Sequence, residues 1–274
     1  MSRQPLTRRR FLTLPLALLL APAALRWDRA RAAAESRRAT YAVDAGILYG
    51  MLSYHLDGTL TESVDRVGGR YDVTIAGEGD GIANRIESSG VLREGRWAPR
   101  ESHSFFSVRG RESRSDIAYD WARGTIEYRF RGETFFLRKL RVADDVVAVP
   151  EGLHVDDSLS ATLNYADERW AQAADGSYQT HVIRRKKPDN EGLDEAQGTY
   201  RAELVPLALK IAADPASGKP IALFDLTRFS SWAKRSAPGR ITFNRDKRPE
   251  LVMLDMMLGT KVRVELRSPE LRAS

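Results

Sequence analysis

Apolar and polar residues alternate with a period of two in several segments of the chain. Such alternation places successive side chains on opposite faces of a strand, so that one face packs on a core and the other meets water. Parallel strands are covered on both faces and are typical of unbroken apolar runs, so this pattern favours an antiparallel sheet. The clearest alternating apolar sets are Tyr71, Val73 and Ile75, then Ile126, Tyr128 and Phe130, and finally Val262, Val264 and Leu266.

Turn-forming segments separate the alternating segments at the spacing of an all-β domain. The predicted turns are Gly68-Gly69, Gly77 to Gly81, Glu94-Gly95, Arg109-Gly110, Ala122-Arg123-Gly124 and Arg131-Gly132. The segment from Arg184 to Gly198 is charged and rich in turn formers. It predicts a long solvated loop or the end of a hairpin.

One segment follows a helical period instead, and its apolar residues are Leu159, Leu163, Ala166 and Trp170. This spacing predicts a helix from Ser158 to Trp170, with Asp157 or Ser158 as the N-cap. A sheet of many strands twists and curls as it grows. The sequence therefore predicts an all-β, mainly antiparallel fold: a curved sheet or half-barrel with one packed helix.

A curled sheet of this kind brings alternate apolar side chains onto one concave face. The side chains predicted to line this groove are Tyr71, Val73, Ile75, Tyr119, Tyr128 and Phe130. If the helix does not fill the concavity, the groove would bind an apolar or amphipathic ligand through the hydrophobic effect. The alternative, in which the same side chains close a dry core, is equally compatible with the pattern.

The N-terminal residues predict an export signal. Residues 1–10 contain four arginines and no acidic residue, and they precede an apolar stretch of about 15 residues that is shorter than the roughly 20 of a membrane-spanning helix. Arg8, Arg9, Phe11 and Leu12 match the twin-arginine consensus, which predicts recognition by the Tat export machinery. An ordinary Sec signal and an uncleaved anchor are the alternatives.

Two small-x-small sites are candidates for signal cleavage, Ala21-Pro22-Ala23 and Ala30-Arg31-Ala32. The second is preferred because it lies a few residues beyond the apolar stretch. Cleavage near Ala32 divides the chain into a signal peptide, residues 1–32, and a single antiparallel β domain, residues 33–274, and predicts a periplasmic location.

Signal cleavage changes the interpretation of the net charge, which is +6 for the whole chain. The predicted signal peptide carries seven arginines and one aspartate, so 36 basic and 36 acidic residues remain. A neutral domain gives no reason to expect nucleic acid as a partner. The chain contains no cysteine, which excludes disulfides, thiolate metal sites and lipid attachment at a cysteine, so no stable membrane anchor is expected after cleavage.

Residues with catalytic potential are sparse. The four histidines lack metal-site spacing, and the chain contains neither a P-loop nor a Gly-x-Ser-x-Gly elbow, so the sequence assigns no catalytic residue, metal or cofactor. Acidic residues such as Asp156 and Asp225 leave a hydrolase or transferase possible if two carboxylates meet in one cleft about 5 to 10 Å apart. The basic run Arg184 to Lys187 is either a solvated strand end or a contact for anionic lipid or polysaccharide.

Several segments resemble a bacterial envelope family known as domain of unknown function 3108. The matching residues are Tyr41 to Gly50, Gly69-Arg70-Tyr71, Ser89-Gly90, Arg96-Trp97-Ala98-Pro99, Ala118-Tyr119-Asp120-Trp121, Gly124 and Asp157-Ser158-Leu159-Ser160. The resemblance implies an extracytoplasmic half-barrel without established enzyme activity, in which Asp120 and Trp121 end a strand before a hairpin. The segment from Thr199 to Val264 departs from the family pattern.

These observations predict an exported periplasmic protein that binds an apolar or amphipathic envelope molecule, or a partner protein, without catalysis. The alternative is a hydrolase or transferase that acts on envelope glycan or lipid, and the sequence leaves open whether the protein is an enzyme.

Overall fold

The computed structural model describes residues 35–188, 191–192, 194–215 and 217–270. The predicted export-signal residues Arg8, Arg9, Phe11 and Leu12 and the cleavage site near Ala32 lie outside the described residues. Within those ranges, no helix is long and apolar enough to cross a membrane.

The described residues form seventeen strands and one α-helix. The first eight strands are β1 (Glu35–Ile47), β2 (Leu52–Asp65), β3 (Arg70–Gly79), β4 (Ile82–Arg93), β5 (Arg96–Val108), β6 (Arg111–Asp120), β7 (Thr125–Glu133) and β8 (Leu140–Ala148). The central elements are β9 (Val155–Asp156), α1 (Ser158–Ala166), β10 (Ala171–Gln172) and β11 (Tyr178–Arg185). The last strands are β12 (Gly198–Tyr200), β13 (Ala202–Ala213), β14 (Pro220–Phe224), β15 (Gly239–Phe243), β16 (Pro249–Asp255) and β17 (Lys261–Glu270).

The strands join into one curled sheet. Strands β1 to β8 form an antiparallel meander, and β1 also pairs with β17, from which antiparallel pairing continues back to β13. Strand β12, which is separated from β13 by a single residue, pairs in parallel with β8. The pairings therefore return to the meander at its far end. The predicted all-β, mainly antiparallel curled sheet with one packed helix is confirmed.

Three successive hairpins turn through two residues with positive φ. Asp80-Gly81, Glu94-Gly95 and Arg109-Gly110 join β3 to β4, β4 to β5 and β5 to β6. Turns with both central residues at positive φ match the right-handed twist of antiparallel strands, and glycine adopts this conformation without strain. The predicted turns Glu94-Gly95 and Arg109-Gly110 are confirmed, whereas the predicted turn from Gly77 to Gly81 is correct only at Asp80-Gly81, because Gly77 to Gly79 belong to β3.

One predicted turn is wrong, because Arg131-Gly132 lies within β7. A Cβ atom at Gly132 would be 2.8 Å from Cζ of Phe130 and 2.9 Å from Oγ of Ser113. The glycine is therefore needed for close packing of neighbouring side chains within the sheet, since glycine in a strand often marks such an approach.

The helix is shorter than predicted and ends at Ala166. Glu168 has a φ of 57°, in the left-handed region, so the chain leaves the helix before Trp170. Asp157 is the N-cap, as one of the two predicted alternatives had it. Its carboxylate accepts hydrogen bonds from the backbone N–H groups of Leu159 and Ser160, which have no partner inside the helix.

Candidate binding cleft beside the helix

Helix α1 contacts two different apolar clusters through opposite faces. Leu159 and Leu163 pack with residues of β2, β3 and β5, whereas Ala161 and Tyr165 pack with residues of β13, β14 and β15. Positions two residues apart are about 200° apart around a helix of 3.6 residues per turn. The helix is therefore inserted between two parts of the curled sheet.

The face toward β13 to β16 borders an apolar cleft of about 180 Å³. Its lining residues are Ser158, Ala161, Thr162, Tyr165, Trp170, Leu207, Leu209, Phe224, Ile241, Phe243 and Pro249. Alternation in β13 directs Leu207 and Leu209 to this side of the sheet. The lining is mainly apolar, and its hydroxyl groups belong to Ser158, Thr162 and Tyr165 of α1.

Aromatic rings form much of the cleft wall. The centroid of the Tyr165 ring lies 4.6 Å from that of Phe243 and 6.0 Å from that of Trp170. Burial is the largest influence on the Tyr165 hydroxyl and raises its pKa above the usual value near 10. The Trp170 side chain is 6% exposed, and its indole Nε1 has no hydrogen-bond partner among the described residues. A buried N–H without an acceptor is unfavourable, and Trp170 is one of the residues that line the cleft.

The opposite side of the helix is anchored by buried polar groups. The Asp157 carboxylate accepts a hydrogen bond of 2.5 Å from the Ser88 hydroxyl, which also contacts the Tyr71 hydroxyl at 2.9 Å. Asn164 bonds both the backbone N–H and the backbone C=O of Trp97 at 2.8 Å. Burial outweighs these hydrogen bonds and raises the pKa of Asp157 to about 6.

Asp156 is fully buried and has five side-chain partners. These partners are His154 at 3.0 Å, Asn164 at 2.7 Å, Ser160 at 3.1 Å, Thr180 at 2.6 Å and Arg96 at 3.2 Å. The carboxylate joins β9, α1, β11 and β5. A carboxylate with this many short-range partners positions the surrounding elements rather than facing a substrate.

Asp225, the second acidic candidate, is exposed and caps the turn Leu226–Arg228. Its Oδ1 accepts hydrogen bonds from the backbone N–H and hydroxyl of Thr227. Asp156 and Asp225 have no hydrogen-bond partner in common within the described part of the chain. Their contacts give the two residues different structural roles.

The six predicted groove residues lie in two apolar clusters. Tyr71, Val73 and Ile75 pack with the Leu159 side of α1. Tyr119, Tyr128 and Phe130 form the second set, which packs with β8, β9, β11 and β12. That either set lines a ligand groove stays a prediction.

A second cavity, of about 660 Å³, lies at the end of β6, where the family resemblance implied a structural role for Asp120 and Trp121. Strand β6 does end at Asp120, whose carboxylate bonds the N–H groups of the following turn. The Trp121 ring stacks on Tyr119 at 5.7 Å and on His154 at 6.0 Å, with Arg93 5.4 Å from its centroid. The indole of Trp121 therefore contacts three side chains of the protein.

The basic run Arg184 to Lys187 is partly neutralised, as one of its two interpretations expected. Arg185 forms a two-point ion pair with the buried Glu191, at 2.9 and 2.8 Å, and lies over the Tyr200 ring. Arg184 pairs with Glu203 at 2.6 Å. The segment from Arg184 to Gly198 is thus not simply a solvated loop, because Glu191 anchors it to the core.

The cleft residues on β13 to β15 were missed at the sequence level. The apolar set Val205, Leu207, Leu209 and Ile211 alternates as clearly as the sets used above and identifies β13 as a strand. Period-two alternation does not show which distant segment a strand faces. The partner helix becomes evident only from the pairing of β12 with β8 and of β13 with β11.

The fold and the cleft define a curled, mainly antiparallel β-sheet protein with one helix inserted into it. No family model and no curated protein matches the chain. Among solved structures, the chain is similar to one described as a beta-barrel-like protein of domain of unknown function 1849 from Brucella abortus. The TM-score is 0.41 and the identity 12%, over 87% of this chain and 98% of that chain. This similarity is too low to assign a family or a function, and the resemblance to domain of unknown function 3108 stays an interpretation.

Proposed function

We propose that the protein binds the apolar chain of an amphipathic molecule in the cleft between α1 and strands β13 to β16. The observation that carries this proposal is an apolar cleft whose lining includes Trp170, and the buried indole N–H of Trp170 has no hydrogen-bond partner among the described residues. Apolar lining with a few polar groups is the usual composition of a small-molecule site.

The cleft volume limits the class of ligand. An apolar cavity of about 150 Å³ accepts a benzene-sized molecule, whereas whole drug-sized ligands occupy about 300 to 1,000 Å³. The cleft of about 180 Å³ therefore fits a short segment of an acyl chain. In this proposal the rest of the ligand extends past Ser158 and Thr162, which are polar residues of the lining.

The unpaired indole N–H of Trp170 indicates which polar group the ligand carries next to its apolar chain. Trp170 Nε1 can only donate a hydrogen bond, so it requires an acceptor such as an ester or carboxyl oxygen. An acyl group supplies both the methylene chain and this oxygen. Fatty acids and fatty acyl esters are therefore the chemical class that the cleft favours.

We propose that the protein binds this ligand outside the cytoplasmic membrane. Support comes from the twin-arginine pattern at Arg8, Arg9, Phe11 and Leu12 and from the small-x-small site that ends at Ala32. In this proposal the Tat machinery is a partner during export, and the ligand is an amphipathic molecule of the envelope.

Titration with a fluorescent fatty acid tests the binding function. The purified protein should give saturable binding that decanoate displaces. Ala161→Phe, which puts a ring into the cleft from a helical position, should weaken binding at least ten-fold. Ala118→Phe adds the same ring to an exposed position of β6 and serves as the matched control. Thermal unfolding of each variant verifies that it is folded.

The result that would overturn the binding proposal is absence of saturable binding by the wild-type protein. Equal affinities for the wild-type protein and a folded Ala161→Phe variant would place the ligand outside this cleft. Neither result depends on the export pathway.

Replacement of both Arg8 and Arg9 by lysine tests the export proposal. Lysine keeps the charge but loses the planar guanidinium fork, so export of the double variant should fail. A periplasmic product of mature size from this variant, in cells with a working Sec pathway, would contradict Tat-dependent export.

A further inference from the structure

Four loops at one end of the sheet bring large apolar side chains together. Tyr49 follows β1, and its backbone N–H donates to the Leu258 carbonyl at 3.0 Å, while its ring covers Gly259. Met257 donates its N–H to the Trp232 carbonyl at 2.7 Å. The Trp232 ring in turn stacks on Phe136, with centroids 5.9 Å apart. These contacts make the loops one continuous surface.

We call this surface the apolar rim; its residues are Tyr49, Met51, Phe136, Leu137, Trp232 and Met257. Tyr49, Met51 and Leu137 are 82%, 83% and 65% exposed, and Phe136 and Met257 are also exposed. Single exposed apolar residues are common on soluble proteins, but a contiguous set marks an interaction surface. The high exposure of Tyr49 and Met51 shows that they project into solvent rather than line a groove.

Basic side chains border the rim in a cleft of about 890 Å³ that includes Met257. The basic residues of this cleft are Arg184, Lys187, Arg228, Lys234 and Arg235. Arg184 pairs with Glu203, and Arg228 with Asp225 at 3.4 Å. Across the described ranges, neither Lys234 nor Arg235 has an ion-pair partner. The cleft therefore keeps excess positive charge beside the rim.

Two acidic groups close in sequence or space to the rim loop at Phe136 are engaged in contacts of their own. The Asp194 carboxylate accepts the backbone N–H groups of Phe136 and Leu137 at 2.7 and 2.5 Å, which holds this loop in place. Glu133 pairs with Arg138. The basic cleft, with Lys234 and Arg235, lies next to the exposed apolar side chain of Met257.

We infer that the apolar rim and the basic cleft together dock reversibly on an anionic phospholipid bilayer. Projecting Tyr, Met and Leu side chains suit the boundary between headgroups and acyl chains, and adjacent lysines and arginines are attracted to anionic headgroups. An acidic polysaccharide would match the basic cleft but would leave the rim uncovered. A bilayer matches both features.

Vesicle co-sedimentation of the purified protein tests this inference. The protein should pellet with vesicles of phosphatidylglycerol and phosphatidylcholine, pellet far less with phosphatidylcholine alone, and be released by added salt. Lys234→Gln with Arg235→Gln should lower the partition coefficient by roughly ten- to thirty-fold. Tyr49→Asn with Met51→Ser should also lower it, and asparagine tolerates the left-handed backbone at position 49.

Two controls separate the rim from general surface effects. Arg70→Gln with Arg100→Gln removes two exposed charges from β3 and β5, and Phe106→Ser removes an exposed apolar ring from β5. Both control variants should bind vesicles as the wild-type protein does. The wild-type protein and all variants have the same N-terminal residues. Any contribution of these residues to vesicle binding is therefore the same in each protein.

Three results would overturn the inference. One is failure of the wild-type protein to bind anionic vesicles, and another is unchanged binding by both rim and cleft variants. The third is self-association that Tyr49→Asn with Met51→Ser abolishes, without vesicle binding, since it would assign the rim to a second copy of the chain.

Discussion

The two faces of helix α1 differ in how completely their contacts are satisfied. Toward β3 to β5, the buried carboxylates of Asp156 and Asp157 and the amide of Asn164 are each hydrogen-bonded on several sides. Toward β13 to β16, the helix faces an apolar cleft and an indole N–H that lacks a partner in the described structure. One face fixes the position of the helix, and the other leaves space that a ligand can fill.

This contrast predicts that polar substitutions on the first face affect stability, whereas substitutions on the second face affect binding. Polar groups that are buried and fully bonded are costly to disrupt. A larger side chain that enters the apolar cleft from the helix should instead act mainly on ligand binding.

The largest effect is expected for Asp156→Ala, which removes the common partner of five side chains. Loss of one member of a buried ion pair costs about 3 to 5 kcal/mol, because the remaining groups stay buried without a partner. Urea unfolding should show this loss as a lower midpoint at an unchanged slope. Asp72→Ala, at an exposed position of β3, should stay within about 0.5 kcal/mol of the wild-type protein. A small effect of Asp156→Ala would contradict the claim that buried hydrogen bonds fix the position of the helix on this face.

Asp157→Asn should flatten the dependence of stability on pH. Burial raises the folded-state pKa of Asp157 from 3.8 to about 6, so the folded protein holds this proton more tightly than the unfolded chain. The resulting stabilisation is complete below pH 4 and is lost as the pH rises to about 6. A shift of this size corresponds to about 3 kcal/mol.

Asparagine is an equally good N-cap and can still accept the helix N–H groups, so Asp157→Asn should fold. The measurement is the free energy of unfolding at several pH values from 3.5 to 7. Parallel curves for variant and wild type would contradict the raised pKa.

On the cleft face, Trp170→Phe should weaken binding of decanoate by roughly five-fold, the equivalent of one hydrogen bond of about 1 kcal/mol. Binding of decane, which has no acceptor oxygen, should be unchanged. Calorimetric titration with both compounds checks this difference. Equal losses for both compounds would show that Trp170 acts only through its shape.

The smallest effect is expected for Phe130→Leu, in the set of residues predicted from sequence to line a groove. Phe130 packs in the cluster of β6 to β8, away from the cleft lining, so fatty-acid affinity should change less than two-fold. The substitution should lower the free energy of unfolding by no more than about 1.5 kcal/mol. A ten-fold loss of affinity here, with normal affinity in Ala161→Phe, would favour the groove predicted from sequence.

The sequence predicts features that depend on local geometry. Alternation around Tyr71 and Ile126 identifies strands, X-Gly pairs identify the two-residue hairpin turns, and Asp157 marks the start of the helix. The cleft depends on contacts between distant segments. Tyr165 of α1 packs against Phe243 of β15, and no periodic pattern in the sequence predicts this contact.

Trp170 shows a second limit of periodicity. It continues the helical spacing of Leu159 and Leu163, yet the chain leaves the helix at Asp167. The Asp167 carboxylate bonds the Trp97 indole at 2.8 Å and also contacts Arg66, so tertiary contacts outweigh the helical pattern. The residue predicted as part of the helix instead lies beyond its end and lines the cleft.

Intermolecular nuclear Overhauser effects between decanoate and the protein test the central claim most directly. We predict contacts from the decanoate methylene protons to the Trp170 indole Hε1 and to the Ala161 methyl group. Contacts confined to Tyr128 and Phe130, or to residues outside the cleft lining, would contradict the assignment of the ligand to the helix cleft.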